Sequence, residues 1–278
     1  MRKINTLIEN LSLHVVAGSV CSALFAAAVL DTKLPFWWLL TLALAVWSVY
    51  TLDHLVDAYF NRGRIKNQRH HFHDKHFKKL LFMLVLTSIT VLIIFSVFAT
   101  LQIWLVASVI TVVVLTHILF VSTTAFSNKK WLQKEVQIAL IYSIGTWLGP
   151  LHYTKIATDI QLVMIFAAFT LLAWWETSFI ALNERETDLN QQNSSLATRL
   201  GERKTKNLLL LLLLVQLVFC LVQFSFNEGI MAKAYLILLT MGIAFGVLFF
   251  FRKYLSKKGF LHLAGELVFC FPVLIYLV

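Results

Sequence analysis

The sequence predicts an all-α fold, a polytopic transmembrane helical bundle of about nine spans. Three observations predict it. Mean hydropathy is +0.78, and 59% of the residues are hydrophobic. Only 14% are charged, against about 25% in soluble domains. Apolar runs near the length that a bilayer core requires recur along all 278 residues. In lipid a run of that kind satisfies its backbone polar groups as a helix.

The spans are placed at 11–30, 35–58, 79–99, 101–124, 134–152, 159–182, 206–225, 231–251 and 259–278. The first follows Arg2 and Lys3 and holds the small-residue stretch "LFAAAVL". A cleaved signal peptide is the alternative there, but Glu9 and His14 interrupt the simple apolar region it requires. The second span, "FWWLLTLALAVWSVY", runs into "TLDHLVDAYFNRGR". The third and fourth nearly touch. The seventh contains "NLLLLLLLVQLVF", a lipid-facing run. Cys21, Cys220 and Cys270 all lie inside spans, without metal-ligand spacing, and read as small packing residues.

Basic residues alternate with these spans. The N-terminal tail and the stretches after spans two, four, six and eight together carry 21 Lys and Arg, leaving Lys33, Lys155 and Lys233 for the other side. Lys/Arg bias in short loops sets orientation. The expected topology therefore has the N-terminus and the motif loops in the cytoplasm, the inner face of the inner membrane in a bacterium, and the C-terminus outside. The net charge of +10 is a topology signal, and no nucleic-acid partner is needed to explain it. The chain reads as a single transmembrane domain over 1–278. Its two hydrophilic stretches of about 20 residues, 59–78 and 183–205, are the expected cytoplasmic motif loops.

An acidic pair stands at the entry to each loop. Asp53 and Asp57, four residues apart, lie on one face of a helix. Alone, the pair reads equally as a divalent-cation holder or as carboxylates meeting the headgroup region. Glu184 and Asp188 repeat the spacing at the same expected membrane face. Magnesium is usually held by one or two carboxylates plus substrate phosphates, so the two pairs together fit a diphosphate site. Arg62, Arg64, Arg69, Lys129 and Lys130 are placed to take the remaining phosphate oxygens, although topology alone accounts for those cations. Tyr50, Tyr59, Phe60, Trp174 and Trp175 lie near the pairs. They read either as faces that shield an allylic cation or as interfacial aromatics. The cluster His70, His71, His73 and His76 with Asp74 reads either as a transition-metal site or as part of a solvated basic loop.

The run "SLATRLGERKT" at 195–205, preceded by "NERETD", resembles the second aspartate-rich motif of the UbiA superfamily of intramembrane prenyltransferases. "DHLVDAYFNRGR" resembles the DxxxDAxxxRxR end of that family's first motif, with Asp53 and Asp57 at its last two acidic positions. "NKKWLQKEVQIALIYSIGTWLGP" resembles the family's basic-aromatic entry into its fifth helix. Four positions depart from the pattern. Val49 and Tyr50 stand where the first motif opens with Asn and Asp, Glu184 replaces the first acid of the second, and Gln192 replaces a glycine.

The resemblance implies Mg²⁺-dependent transfer of a polyprenyl group from its diphosphate to a hydrophobic acceptor, aromatic or lipid, within the bilayer. Asp53, Asp57, Glu184 and Asp188 would then be the catalytic metal–diphosphate ligands. The alternative is a non-catalytic protein of this fold that binds an isoprenoid or acts as a scaffold. A transporter would carry mid-span polar residues or Gly/Pro-broken helices, whereas only three prolines occur and the acids gather near span ends.

Overall fold

A computed structural model describes residues 8–60, 68–122, 134–157, 159–191, 194–258 and 260–277. The described residues form a helical membrane protein. The chain divides into two compact units, Met1–Ala17 with Pro35–Lys129, and Gly18–Leu34 with Lys130–Val278.

The helices are α1 (Leu13–Val29), α2 (Phe36–Phe60), α3 (Gln68–Lys75), α4 (Phe77–Phe98), α5 (Leu101–Ser122) and α6 (Lys134–Tyr153). They continue as α7 (Ile160–Gln191), α8 (Leu196–Leu200), α9 (Glu202–Phe226), α10 (Gly229–Lys258) and α11 (Leu261–Leu267), followed by a 3₁₀ segment, Val268–Tyr276. Among the described residues, stretches of α2, α4, α5, α7, α9 and α10 are long and apolar enough to cross a membrane. Leu13–Val29 and Leu261–Tyr276 are shorter apolar helices, and α6 is in neither group. The nine expected spans thus correspond to nine helical regions, six of which reach spanning length and hydropathy.

In the first unit α2 packs on α3, α4 and α5. Its small core is Leu55, Leu80 and Leu84, with Leu11, Leu52, Phe72 and Phe77 against it. At the other end of α2, Trp37 stacks on Phe98, and Phe95 meets Trp37, Trp38 and Trp104. Helices α4 and α5 turn Phe82, Leu86, Ile93, Leu105, Val109 and Val112 outward, as helices bathed in lipid do. Several of their hydroxyls are satisfied within the helix. Thr90, Thr111 and Thr116 each donate to the carbonyl four residues back, and Ser48 meets Thr87 between α2 and α4 at 3.1 Å. The near-contact of the third and fourth spans resolves into a two-residue break. Ala99 is extended (φ −87°, ψ 140°), and the Thr100 Oγ1 accepts from the Ile103 N–H to start α5.

The second unit is built on α7, which packs on α6, α8, α9, α10 and α11. Its core holds Phe25, Trp147, Phe169, Trp175, Phe179, Tyr235, Phe245 and Phe269, all essentially buried. Trp175 stacks between Phe179 and Phe245, with ring centroids 5.0 and 4.9 Å away, and its indole N–H donates to the Leu209 carbonyl of α9 at 2.8 Å. Close approach depends on glycine. A Cβ at Gly242 would lie 3.0 Å from Leu217 Cδ2, and one at Gly18 would lie 3.0 Å from Phe269 Cβ. The last expected span changes from α to 3₁₀ geometry at Val268, with Pro272 inside the second part supplying no backbone donor. The three cysteines are free.

Candidate active site

Each unit carries one of the acidic pairs on a helix. In the first unit α2 remains helical through Phe60, so Asp53 and Asp57 fall on one face as their spacing requires. Both are half-buried. His54 joins them: one donor atom from each of Asp53, His54 and Asp57 can be chosen so that all three lie within 4.8 Å of one another. His54 is buried. Its ring lies 4.9 Å from that of His73 on α3 and 6.4 Å from that of Tyr50, and its Nε2 is 3.5 Å from Ser12 Oγ. Ser12 is buried and holds a left-handed backbone at φ +52°, a conformation that non-glycine residues seldom adopt.

The hydrophilic stretch 59–78 includes the helix Gln68–Lys75, on which the His73 ring meets those of His54 and Phe72. His73 is only 1% exposed, whereas His71 lies at the surface. His76 Nδ1 lies 2.9 Å from the Phe72 carbonyl oxygen. Arg69 stands in α3. Arg62, Arg64, Lys129 and Lys130 lie outside the described residues, as do most of the aromatic-basic stretch that precedes α6 and Gln192.

In the second unit α7 continues nine residues beyond the expected end of its span, to Gln191, and places Glu184 and Asp188 on consecutive turns. Glu184 Oε1 lies 3.5 Å from His262 Nε2 of α11. Burial pushes the Asp188 carboxyl up to about 6, while the neighbouring Ser195 side chain and the Lys134 charge pull it back down. The "SLATRLG" run is a folded clamp. Ser195 caps α8, its Oγ accepting from the Thr198 N–H while Thr198 Oγ1 accepts from the Ser195 N–H, a reciprocal cap. Gly201 ends α8 at φ +79°, ψ 162°, a region reserved almost wholly for glycine. Arg185 Nε donates to the Ala197 carbonyl at 3.2 Å, and Arg199 Nε donates to Ser194 Oγ at 2.7 Å. Glu135, at the start of α6 and buried, accepts the Leu196 N–H at 2.7 Å. A cleft of about 470 Å³ beside this end of α7 is lined by Asn183, Arg252, Lys253, Tyr254 and Ser256.

The model of the UbiA prenyltransferase family matches residues 11–264. The chain belongs to the UbiA prenyltransferase family. The fold agrees. Among solved structures, a UbiA homolog from Archaeoglobus fulgidus bound to DMAPP and Mg²⁺ aligns over 96% of this chain and 99% of that one, with 14% identity and a TM-score of 0.58. The same homolog bound to GPP and Mg²⁺ aligns equally well. Comparison with curated proteins finds no match. Family membership and the apolar helices make this an integral membrane protein.

Against the UbiA pattern, the oxygen donors of Asp53, Asp57, Glu184 and Asp188 have the hardness Mg²⁺ takes. His54 and Ser12 beside the first acidic pair, and Glu135 and His262 beside the second, are neighbours that motif reading passes over, and His73 of the histidine cluster lies against His54. His54 stands in plain view between the two aspartates. Ser12 and His73 reach His54 in the first unit, and Glu135 and His262 reach Leu196 and Glu184 in the second, through tertiary contacts for which no local signal exists. Trp175, weighed as an aromatic shield, is instead a core residue.

Proposed function

We propose that this UbiA-family protein transfers a polyprenyl group from its diphosphate to a hydrophobic acceptor, aromatic or lipid, inside the bilayer with Mg²⁺. The observation that carries the reading is the Asp53/Asp57 helix face in a chain whose family is prenyltransferase, matched by the Glu184/Asp188 pair on α7. In this reading Asp53, Asp57, Glu184 and Asp188 are the metal–diphosphate ligands. Arg62, Arg64, Arg69, Lys129 and Lys130 take phosphate oxygens. Mg²⁺, when bound, neutralises charge as it builds on the leaving diphosphate.

The chain's own part is positional. The reciprocal cap at Ser195 and the Arg185 bond to Ala197 fix the segment that follows Asp188, so its carboxylate does not reorganise when charge develops. The allylic C–O bond breaks toward the bound diphosphate, the acceptor forms the new bond to the freed carbon, and the proton it loses leaves with solvent or diphosphate. The N-terminus and both motif loops face the cytoplasm in this proposal, and the two units act as one transmembrane domain.

The family's first motif lacks its opening polar pair here, with Val49 and Tyr50 in its place. That substitution favours a second reading, a non-catalytic member that binds an isoprenoid or serves as a scaffold. Thermal stabilisation of the purified protein by a prenyl diphosphate analogue separates the two. Stabilisation that requires Mg²⁺ and disappears in Asp188→Ala supports the enzyme. Metal-independent stabilisation, or none, supports the second reading. Transfer of a radiolabelled prenyl chain into a lipid extract then identifies the acceptor.

A further inference from the structure

We infer that the first unit carries a mixed imidazole–carboxylate centre, Asp53–His54–Asp57, built for a divalent first-row transition-metal ion such as Mn²⁺, Fe²⁺, Co²⁺ or Zn²⁺. This rests on the reading of Asp53 and Asp57 as metal–diphosphate ligands and changes the chemistry of that site. Imidazole nitrogen suits the later transition metals, whereas an all-oxygen set suits Mg²⁺.

The geometry comes from helix periodicity. Asp57 is four residues after Asp53 and three after His54, the two spacings at which helical side chains meet. Their donor atoms, at most 4.8 Å apart, need only small torsional adjustment to surround an ion with bonds of about 2.0–2.2 Å. Three protein donors leave coordination positions for diphosphate oxygens.

The surroundings of His54 have the form of an outer shell. Ligating histidines commonly turn their second nitrogen to an oxygen, which fixes ring orientation. His54 Nε2 lies 3.5 Å from Ser12 Oγ, and Ser12 keeps its left-handed backbone at that place. The ring is buried and lies 4.9 Å from the buried ring of His73 and 6.4 Å from Tyr50. Thus Tyr50, in the place of a lost motif residue, packs against a histidine that brings a donor of its own.

The test uses full-length, untagged protein in detergent with Mn²⁺ as the probe, read by electron spin-echo envelope modulation. The expected result is imidazole nitrogen modulation on bound Mn²⁺ that changes to the ¹⁵N pattern when only histidine is ¹⁵N-labelled. It is lost in His54→Gln while Asp53 and Asp57 still bind the ion. Zn²⁺ competition against Mn²⁺ should weaken in that variant by at least the roughly 10–100-fold that loss of an outer contact alone costs. Bound Mn²⁺ without nitrogen modulation overturns the inference and leaves the carboxylate reading standing. Modulation that survives in His54→Gln overturns it too, by pointing to another histidine. Failure of Mn²⁺ to bind, with or without a prenyl diphosphate, overturns both. The labelled wild-type protein gives its answer even if the variant does not fold.

Discussion

Single side chains account for much of the local order around the second acidic pair. Glu135 is the clearest case: a buried carboxylate on α6 whose oxygen takes the Leu196 N–H, the first donor of α8. Removing the acceptor strands that N–H, at a cost of about 1–3 kcal/mol. Glu135→Ala should therefore lower the melting temperature clearly, while Glu135→Gln, which keeps a carbonyl oxygen in place, should lose less; differential scanning fluorimetry in detergent distinguishes them. Trp175→Ala should be more damaging, about 3–5 kcal/mol for a large aromatic removed from a packed core, because it also vacates the stack between Phe179 and Phe245. Neither residue was legible for its role in the sequence. Glu135 reads there as one more acid near a basic loop, and Trp175 as one more interfacial aromatic. Their partners lie 61 and 34 positions away, beyond what local spacing records.

At the scale of elements, the connection α7–α8–α9 sets the acidic pair against its clamp. Gly201 joins α8 to α9 at φ +79°, ψ 162° with nothing within 4 Å of a would-be Cβ. Space is open there, but the backbone region is not open to other residues. Gly201→Ala is thus expected to cost on the order of 1–3 kcal/mol from conformation alone, and the Mg²⁺-dependent stabilisation by a prenyl diphosphate analogue should weaken with it. Ser195→Ala should cost about 1 kcal/mol by loss of the cap, read as a smaller shift in the same melting assay. Element existence was well marked in the sequence, since apolar runs of this length have few alternatives in lipid. Element ends were not. The polar residues after position 182 do not end α7, because Glu, Arg and Gln extend a helix readily and nothing in "NERETDLNQ" breaks one. The 59–78 stretch likewise holds a helix, Gln68–Lys75, that carries the buried His73.

For the molecule as a whole, the distribution of Lys and Arg makes a prediction that hydropathy cannot. If the basic side is cytoplasmic, the short α9–α10 connection at Asn227 and Glu228 lies outside, and the α10 end at Ser256 lies inside. In a variant with the native cysteines replaced, a single cysteine at Glu228 should react with a membrane-impermeant maleimide added to intact cells. One at Ser256 should react only after permeabilisation, and the reverse pattern would refute the topology. The family was legible from "SLATRLG" and the two DxxxD-type spacings, and the match over 11–264 bears that out. The imidazole in the first acidic pair was written in the sequence as well, at position 54, but its significance depends on burial and on neighbours from two other segments.

Cys21 of the first span and Cys270 of the closing 3₁₀ segment are free thiols near enough to act on each other. Oxidation of these thiols to a disulfide would close the stretch from position 21 to position 270 into a covalent ring. Such a ring migrates faster than the linear chain on a denaturing gel. The yield of that band under mild oxidation is therefore a ruler for whether the two ends of the chain keep their places, with no probe attached.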